Sequence, residues 1–225
     1  MTAVVTTSGL AKDYGDAPAL APTDLEVVAG ERVALVGHNG SGKTTLIRLL
    51  VGALDATSGS ATINGEPVGS IDARAAVSYL ADQPVFYDDL SVWEHLEYVA
   101  RLHEAEGWEQ QAADLLEMTG LTARADDLPI TFSRGLKQKA AICLAFVRPF
   151  ELLLVDEPFV GLDRAGRETL LELFRRAHAD GATLIVATHE LTTVTESERL
   201  VALRDGSIVY DGAVAGADLD DLVGT

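Results

Sequence analysis

The run Gly37-His38-Asn39-Gly40-Ser41-Gly42-Lys43-Thr44-Thr45 joins three glycines, a lysine and two threonines in the spacing G-x-x-x-x-G-K-[ST]. Glycines at 37, 40 and 42 let the backbone turn tightly and bring its N–H groups close to a polyphosphate. A helix opening near Lys43 adds unpaired N–H groups and the positive end of its dipole. Lys43 offers a mobile point charge to β- and γ-phosphates, and the Thr44 hydroxyl offers a hard oxygen to Mg²⁺. A glycine-rich turn before an ordinary helix is the plain alternative. The spacing, the lysine and the flanking apolar runs together favour nucleotide binding, without saying which kind of nucleotide enzyme this is.

Two further places carry chemistry. Leu152-Leu153-Leu154-Val155 ends in Asp156-Glu157, and Thr183-Leu184-Ile185-Val186-Ala187 ends in Thr188-His189. A carboxylate at 156 can hold Mg²⁺ directly or through water. Glu157 points to a different side and can orient or deprotonate a water attacking a γ-phosphate; alternatively, one of the two carboxylates merely caps the next helix. His189 can bond the γ-phosphate or position that water, or be an ordinary satisfied polar group at a strand end. Tyr14, in a turn-rich stretch, can pack or can offer its ring face to an adenine base.

These groups need elements to position them. Val33–Val36, Leu152–Val155 and Thr183–Ala187 are continuous apolar runs, the pattern of parallel strands buried on both faces. Each ends in chemistry, and open α/β sheets bind ligands beyond the carboxyl ends of their strands. The expected fold class is therefore α/β, with a mainly parallel sheet. Val4–Thr7 and Leu25–Val28 read as strands separated by turns at Gly15–Pro18 and Ala21–Asp24. Ser60–Ile63 meets an Asn64-Gly65 hairpin turn, so an antiparallel subdomain is expected beside the core.

From about residue 88 the period becomes helical. Ser91 and Glu94 form a capping box, with Leu96, Val99, Ala100 and His103 on one face. A helix from Trp108 to Thr119 turns Ala112, Leu115, Leu116 and Thr119 inward and stops at Gly120, with Leu121 closing a Schellman-type cap. Another runs from about Gly135 to Val147, and Asp163 caps one reaching about Asp180, ended by Gly181. Leu200–Leu203 and Ser207–Tyr210 flank a hairpin turn at Arg204-Asp205-Gly206. The chain is expected to form one domain over 1–225, with 1–87 and 149–225 as core and 88–148 as a helical insert.

Composition narrows the classes. A net charge of −18 argues against nucleic acid and anionic lipid as direct partners, both of which want a basic face. It reads instead as a solubilising, salt-tolerant surface. No apolar run is long enough to cross a bilayer, and the first eight residues lack a basic segment followed by an apolar block, so a cytoplasmic location is expected. The lone Cys143, among Ala140, Ala141, Ile142 and Leu144, reads as a small buried apolar group. The histidines show no metal-ligand spacing.

As a set, these residues resemble the ATP-binding subunit of an ABC transporter over about residues 3–212. Gly37–Thr45, Leu152–Pro158, Gly161-Leu162-Asp163 and Thr188-His189-Glu190 are similar, in order and rough spacing, to the family's Walker A, Walker B, D-loop and H-loop. Tyr14 matches the aromatic that stacks on adenine. Phe132-Ser133-Arg134-Gly135-Leu136 resembles the signature Leu-Ser-Gly-Gly-Gln, keeping the serine and second glycine but placing Arg134 at its centre and losing the glutamine. Tyr79–Pro84 resembles the Q-loop region; Gln83 is the candidate for its metal- and nucleotide-sensing residue, although counting to Ser91 puts Asp82 at that place.

The resemblance implies a P-loop ATPase core. It also implies ATP with Mg²⁺ as cofactors, bound between the P-loop of one subunit and Ser133–Gly135 of a second in a head-to-tail homodimer or heterodimer. Separate transmembrane permease subunits would hold the chain at the inner face of the membrane, with no direct insertion. The short Ser-x-Gly-Leu-Lys-Gln-Lys form resembles subunits of export-type permeases. The competing reading is a soluble ABC-type ATPase of translation or DNA repair, which usually has two fused cassettes or a coiled-coil insert; neither occurs here. A GTPase or small-molecule kinase would leave the signature-like segment unexplained, and no Asn-Lys-x-Asp motif is present.

Overall fold

The computed structural model describes residues 2–15, 18–218 and 222. In chain order the elements are β1 (Ala3–Asp13), β2 (Pro18–Val28), β3 (Arg32–Val36), α1 (Lys43–Val51), β4 (Ser58–Ile63), β5 (Glu66–Pro67), α2 (Ile71–Ala76) and β6 (Val77–Leu80). They continue with α3 (Val92–Leu102), α4 (Trp108–Thr119), α5 (Arg134–Phe146), β7 (Leu152–Asp156), α6 (Arg164–Ala179), β8 (Thr183–Ala187), α7 (Leu191–Glu196), β9 (Arg199–Arg204) and β10 (Ser207–Ala213). The chain divides into two compact units. The first holds 1–79, 151–157 and 177–225; the second holds 80–150 and 158–176.

The first unit contains an antiparallel sheet ordered β2-β1-β4-β5, and the other sheet is ordered β10-β9-β3-β8-β7-β6. Within the latter, β3 runs parallel to β8 and β9, and β7 parallel to β8. Every residue of β3, β7 and β8 is buried, as the unbroken apolar runs require. Leu46, Ile47 and Leu50 of α1 close the core with Leu35, Leu154 and Ile185. At the distal edge, Asp205 (φ 49°) and Gly206 (φ 78°) make the primed turn that joins β9 to β10.

The Asn64-Gly65 hairpin forms as expected, pairing Ile63 with Glu66. The turn expected at Ala21–Asp24 does not form: β2 runs through it. The pairing of β1 with β2 slips between Thr7↔Leu25 and Leu10↔Thr23. Thr7 Oγ1 bridges the slip, donating to the Thr23 carbonyl at 2.8 Å and accepting from the Leu25 N–H at 2.8 Å. A bulge tolerates Pro22, which has no N–H to give the ladder. No periodic pattern in the sequence marks the short α2 and β6. Ser70 caps α2 by accepting from the Ala73 N–H at 3.2 Å, but that helix buries only Ala73, so no apolar stripe announces it.

In the second unit the helices start and stop where the sequence says. Ser91 and Glu94 exchange both capping-box bonds, at 3.2 and 2.7 Å. Gly120 sits in the left-handed region, and the Leu121 N–H reaches the Leu116 carbonyl at 2.7 Å. Leu96 and Ala100 of α3, and Ala112, Leu115, Leu116 and Thr119 of α4, are buried. Val99 and His103 are only half-buried, because α3 ends at Leu102 with His103 as its cap. His95, unremarked in the sequence, is buried with one ring nitrogen on the Ser91 carbonyl and the other on the Tyr87 N–H. It ties the irregular segment before α3 to the helix.

Cys143 is fully buried, against Thr119 Oγ1 at 3.3 Å. Burial pushes its thiol up to about 12. With that value the thiolate is about one part in ten thousand at about pH 8. A maleimide is therefore expected to leave the native chain unlabelled and to label it stoichiometrically in denaturant. Rapid labelling of the native chain would show that this core opens.

Candidate functional site

The strand register brings the chemistry together. Leu35 and Asp156 both lie level with Ala187 in the parallel ladder, so β3, β8 and β7 end at the same height. The Thr188 N–H donates to the Leu35 carbonyl at 3.1 Å, and the Glu157 N–H to the Ala187 carbonyl at 2.9 Å. Those two bonds carry the ladder one residue past the strands and fix where Glu157 and His189 begin.

Gly37–Gly42 then wraps over the end of β3. A Cβ on Gly37 (φ 142°) would run into the Leu203 carbonyl and stand 2.6 Å from Ser41 Oγ, so only glycine fits. Gly42, at φ 108°, is the N-cap of α1 and supplies no side-chain cap, and the first turn carries no acidic residue. The first N–H groups of the nine-residue helix therefore face outward without a local side-chain acceptor. Ser41 Oγ is buried with no hydrogen-bond partner among the described residues. The β9–β10 turn buttresses the loop: the Gly206 N–H donates to the Ser41 carbonyl at 3.0 Å, and His38 Nε2 lies 3.6 Å from Asp205. The sequence showed this hairpin but gave no sign of its docking here.

Asn39–Thr45, Ala19 and Glu157 line a cleft of about 260 Å³. At its floor Lys43 is 7 % exposed, its Nζ donating to the Gly37 carbonyl at 2.6 Å and the His38 carbonyl at 3.2 Å. Burial holds the ammonium below its ordinary pKa, against the pull of Glu157 and then Asp156. Thr44 Oγ1 donates to Asp156 Oδ1 at 3.1 Å, so a hydroxyl and a carboxylate oxygen converge from two elements. Such a hard oxygen pair beside a phosphate cradle suits Mg²⁺.

Glu157 bridges the rest. Its Oε1 is 4.0 Å from Lys43 Nζ and its Oε2 is 3.0 Å from His189 Nδ1. Its backbone lies at φ 43°, a left-handed conformation that costs a non-glycine residue about 1–3 kcal/mol. Strain of that kind at a residue of this type is a mark of function that no sequence pattern displays. The alternative in which one carboxylate only caps a helix does not hold: Asp163 caps α6, accepting from the Gly166 N–H at 2.8 Å.

Tyr14 is 66 % exposed, with Lys12 Nζ 5.2 Å from its ring centroid, and it does not line the cleft. The remaining sequence candidates belong to the second unit. Ser133 is the N-cap of α5, and Gly135 follows in its first turn. Asp163 accepts from Lys139 at 3.1 Å, and its carboxyl is held below the usual range by the Gly166 N–H and then by Lys139. Asp82 accepts from Arg134 at 3.1 Å, while the Gln83 amide stands 3.5 Å from the same carboxylate.

A cleft of glycine backbone, buried lysine, paired threonine and aspartate, and a strained glutamate, set at the ends of parallel strands, defines a P-loop nucleotide-hydrolysing domain. Residues 20–160 match the family described as ABC transporter. The chain is 37 % identical over 210 residues to a putative ABC transporter ATP-binding protein of Halobacterium salinarum, covering 88 % of each. A solved structure of an ATP-binding subunit of an ABC transporter superposes with a TM-score of 0.89 at 31 % identity, covering 97 % of both chains. A dimeric post-hydrolysis ATP-binding cassette, MJ0796 bound to ADP and Pi, gives 0.85 at 25 % identity, covering 95 % of this chain and 100 % of that one. The chain belongs to the ABC transporter family, as an ATP-binding subunit with a P-loop ATPase domain.

The sign of the Lys43 shift makes a prediction. The folded chain holds this ammonium at a lowered pKa, so the unfolded chain, at 10.5, binds the proton more tightly. The penalty is full below the folded pKa, shrinks as pH rises through the window up to 10.5, and is gone above it. Any gain in nucleotide-free melting temperature from Lys43→Met should therefore be largest near neutral pH and fade toward about pH 10.5. A gain that grows with pH would contradict the assignment.

Proposed function

We propose that this chain hydrolyses ATP to power transport across a membrane through separate permease subunits, in the export direction, working as one domain over 1–225. The observation that carries the reading is the Lys43–Glu157–His189 cluster beside the Thr44–Asp156 pair, with Lys43, Thr44 and Glu157 lining one cleft.

The roles follow from the chemistry of each group. N–H groups of Gly37, His38, Asn39, Gly40, Ser41, Gly42 and Thr45 cradle the phosphates, with the α1 dipole behind them. Lys43 exchanges its carbonyl acceptors for β- and γ-phosphate oxygens, which restores the proton affinity that burial lowers. Ser41 Oγ, buried without a partner among the described residues, gains one. Thr44 and Asp156 would hold Mg²⁺, which would supply charge neutralisation to the phosphates; the resemblance adds Gln83, or Asp82 by count, as a candidate further ligand.

Glu157 orients a water in line with the γ-phosphorus and takes its proton as the oxygen attacks, while the bond to the β-γ bridging oxygen breaks and ADP leaves. His189, on the other carboxylate oxygen, fixes which Glu157 oxygen faces the water. Tyr14 stacks on the adenine from outside the phosphate cleft.

Ser133, Gly135 and Asp163 complete the site of a second copy or of a related subunit, head to tail. That the related cassette MJ0796 is dimeric with ADP and Pi bound supports a dimer; the head-to-tail order comes from the resemblance of Ser133–Gly135 to the signature. Permease subunits then place the chain at the cytoplasmic face. No helix among the described residues is long and apolar enough to cross a membrane. The acidic charge disfavours nucleic-acid partners.

Lys43→Ala is expected to weaken ATP binding by about ten- to a hundredfold, the worth of one charge-assisted hydrogen bond, as read by calorimetry. Undiminished affinity would remove Lys43 from the site. Glu157→Gln should keep ATP affinity, lower turnover by about 10²–10⁴-fold and accumulate an ATP-bound dimer on a sizing column. A monomeric, active variant would exclude Glu157 as the base.

A further inference from the structure

The first turn of α5 is the meeting point of three segments of the second unit. Arg134 bonds Asp82 at 3.1 Å, and Gln138 turns its amide toward the Ala81 carbonyl at 3.5 Å. On the other side, Lys139 bonds Asp163 at 3.1 Å. A Cβ on Gly135 would stand 2.5 Å from the Gly161 carbonyl, and Arg134 Cγ would lie 3.3 Å from a Cβ on Gly161. Residues 81–83, 133–139 and 161–163 are thus fastened to one another by two ion pairs, one hydrogen bond and one backbone contact.

Arg134 is an odd choice for its position. It is the first residue of α5, where the helix dipole repels a cation, and no acidic residue in that turn offsets it. Asp82 supplies the offset from another segment. Arg134 stands where the signature that this segment resembles has glycine, and Asp82, rather than the candidate Gln83, stands at the glutamine's place when counted to Ser91. Each departure alone leaves a charge misplaced, and together they cancel. We propose that Asp82 and Arg134 are a pair of positioning residues. Their ion pair sets the aim of the α5 N-terminus, with Ser133 and Gly135, and links the 81–83 segment to the 161–163 loop. The functional half of this inference rests on the head-to-tail reading given above.

The test is a charge-swap cycle in the full chain carrying Glu157→Gln, comparing Asp82→Arg, Arg134→Asp and the two together. Amide exchange over 81–83 and 161–166 reads the interlock without nucleotide, and ATP-driven association reads its use. Each single reversal should speed exchange in both segments and weaken association by about tenfold or more, since it sets like charges face to face. The swapped pair should restore both. Unchanged exchange in the single variants overturns the interlock. Exchange restored without association overturns the positioning role and leaves a structural pair. If the chain with only Glu157→Gln fails to associate on ATP, the head-to-tail reading fails, and the exchange cycle still decides whether the pair exists.

Discussion

The site depends on a register. Three buried parallel strands end level with one another because Ala187 pairs with Leu35 on one side and with Asp156 on the other. In a parallel ladder a shift of one residue would reverse the face of every following side chain. Here it would turn Asp156 away from Thr44 and Glu157 away from Lys43. The apolar identity of all three strands, with both faces covered, holds that register. The sheet's hydrophobic burial is therefore also what sets the spacing of its polar ends.

Around that frame the chain accepts local cost. A lysine is buried below its ordinary pKa, a serine hydroxyl is buried without a partner among the described residues, and a glutamate adopts a glycine-like backbone. Costs of this kind persist only where the surrounding structure over-determines them. They fall together in one cleft, which is how a binding site differs from a well-packed turn.

Much of this was legible in the residues. The P-loop, the strand ends, the helix caps at Ser91, Gly120 and Asp163 and the hairpins at Asn64-Gly65 and Asp205-Gly206 each follow from local chemistry that acts over a few positions. What escaped was non-local or weakly amphipathic. Pro22 reads as a turn until Thr7, from the neighbouring strand, bridges a bulge around it. The α2 helix buries a single alanine and leaves no stripe. The docking of the β9–β10 turn under Ser41 and the pairing of Asp82 with Arg134 join residues far apart in sequence, each of ordinary type. No periodicity marks such contacts.

The central claim is that separate strand ends close around one triphosphate. Hydrogen exchange on the unaltered chain, with and without ATP and Mg²⁺, tests it most directly. The account predicts that nucleotide slows exchange at residues 39–45 and, in the same experiment, at 156–158 and 188–190. Protection confined to the loop at 39–45, with the two other strand ends unchanged, would contradict it.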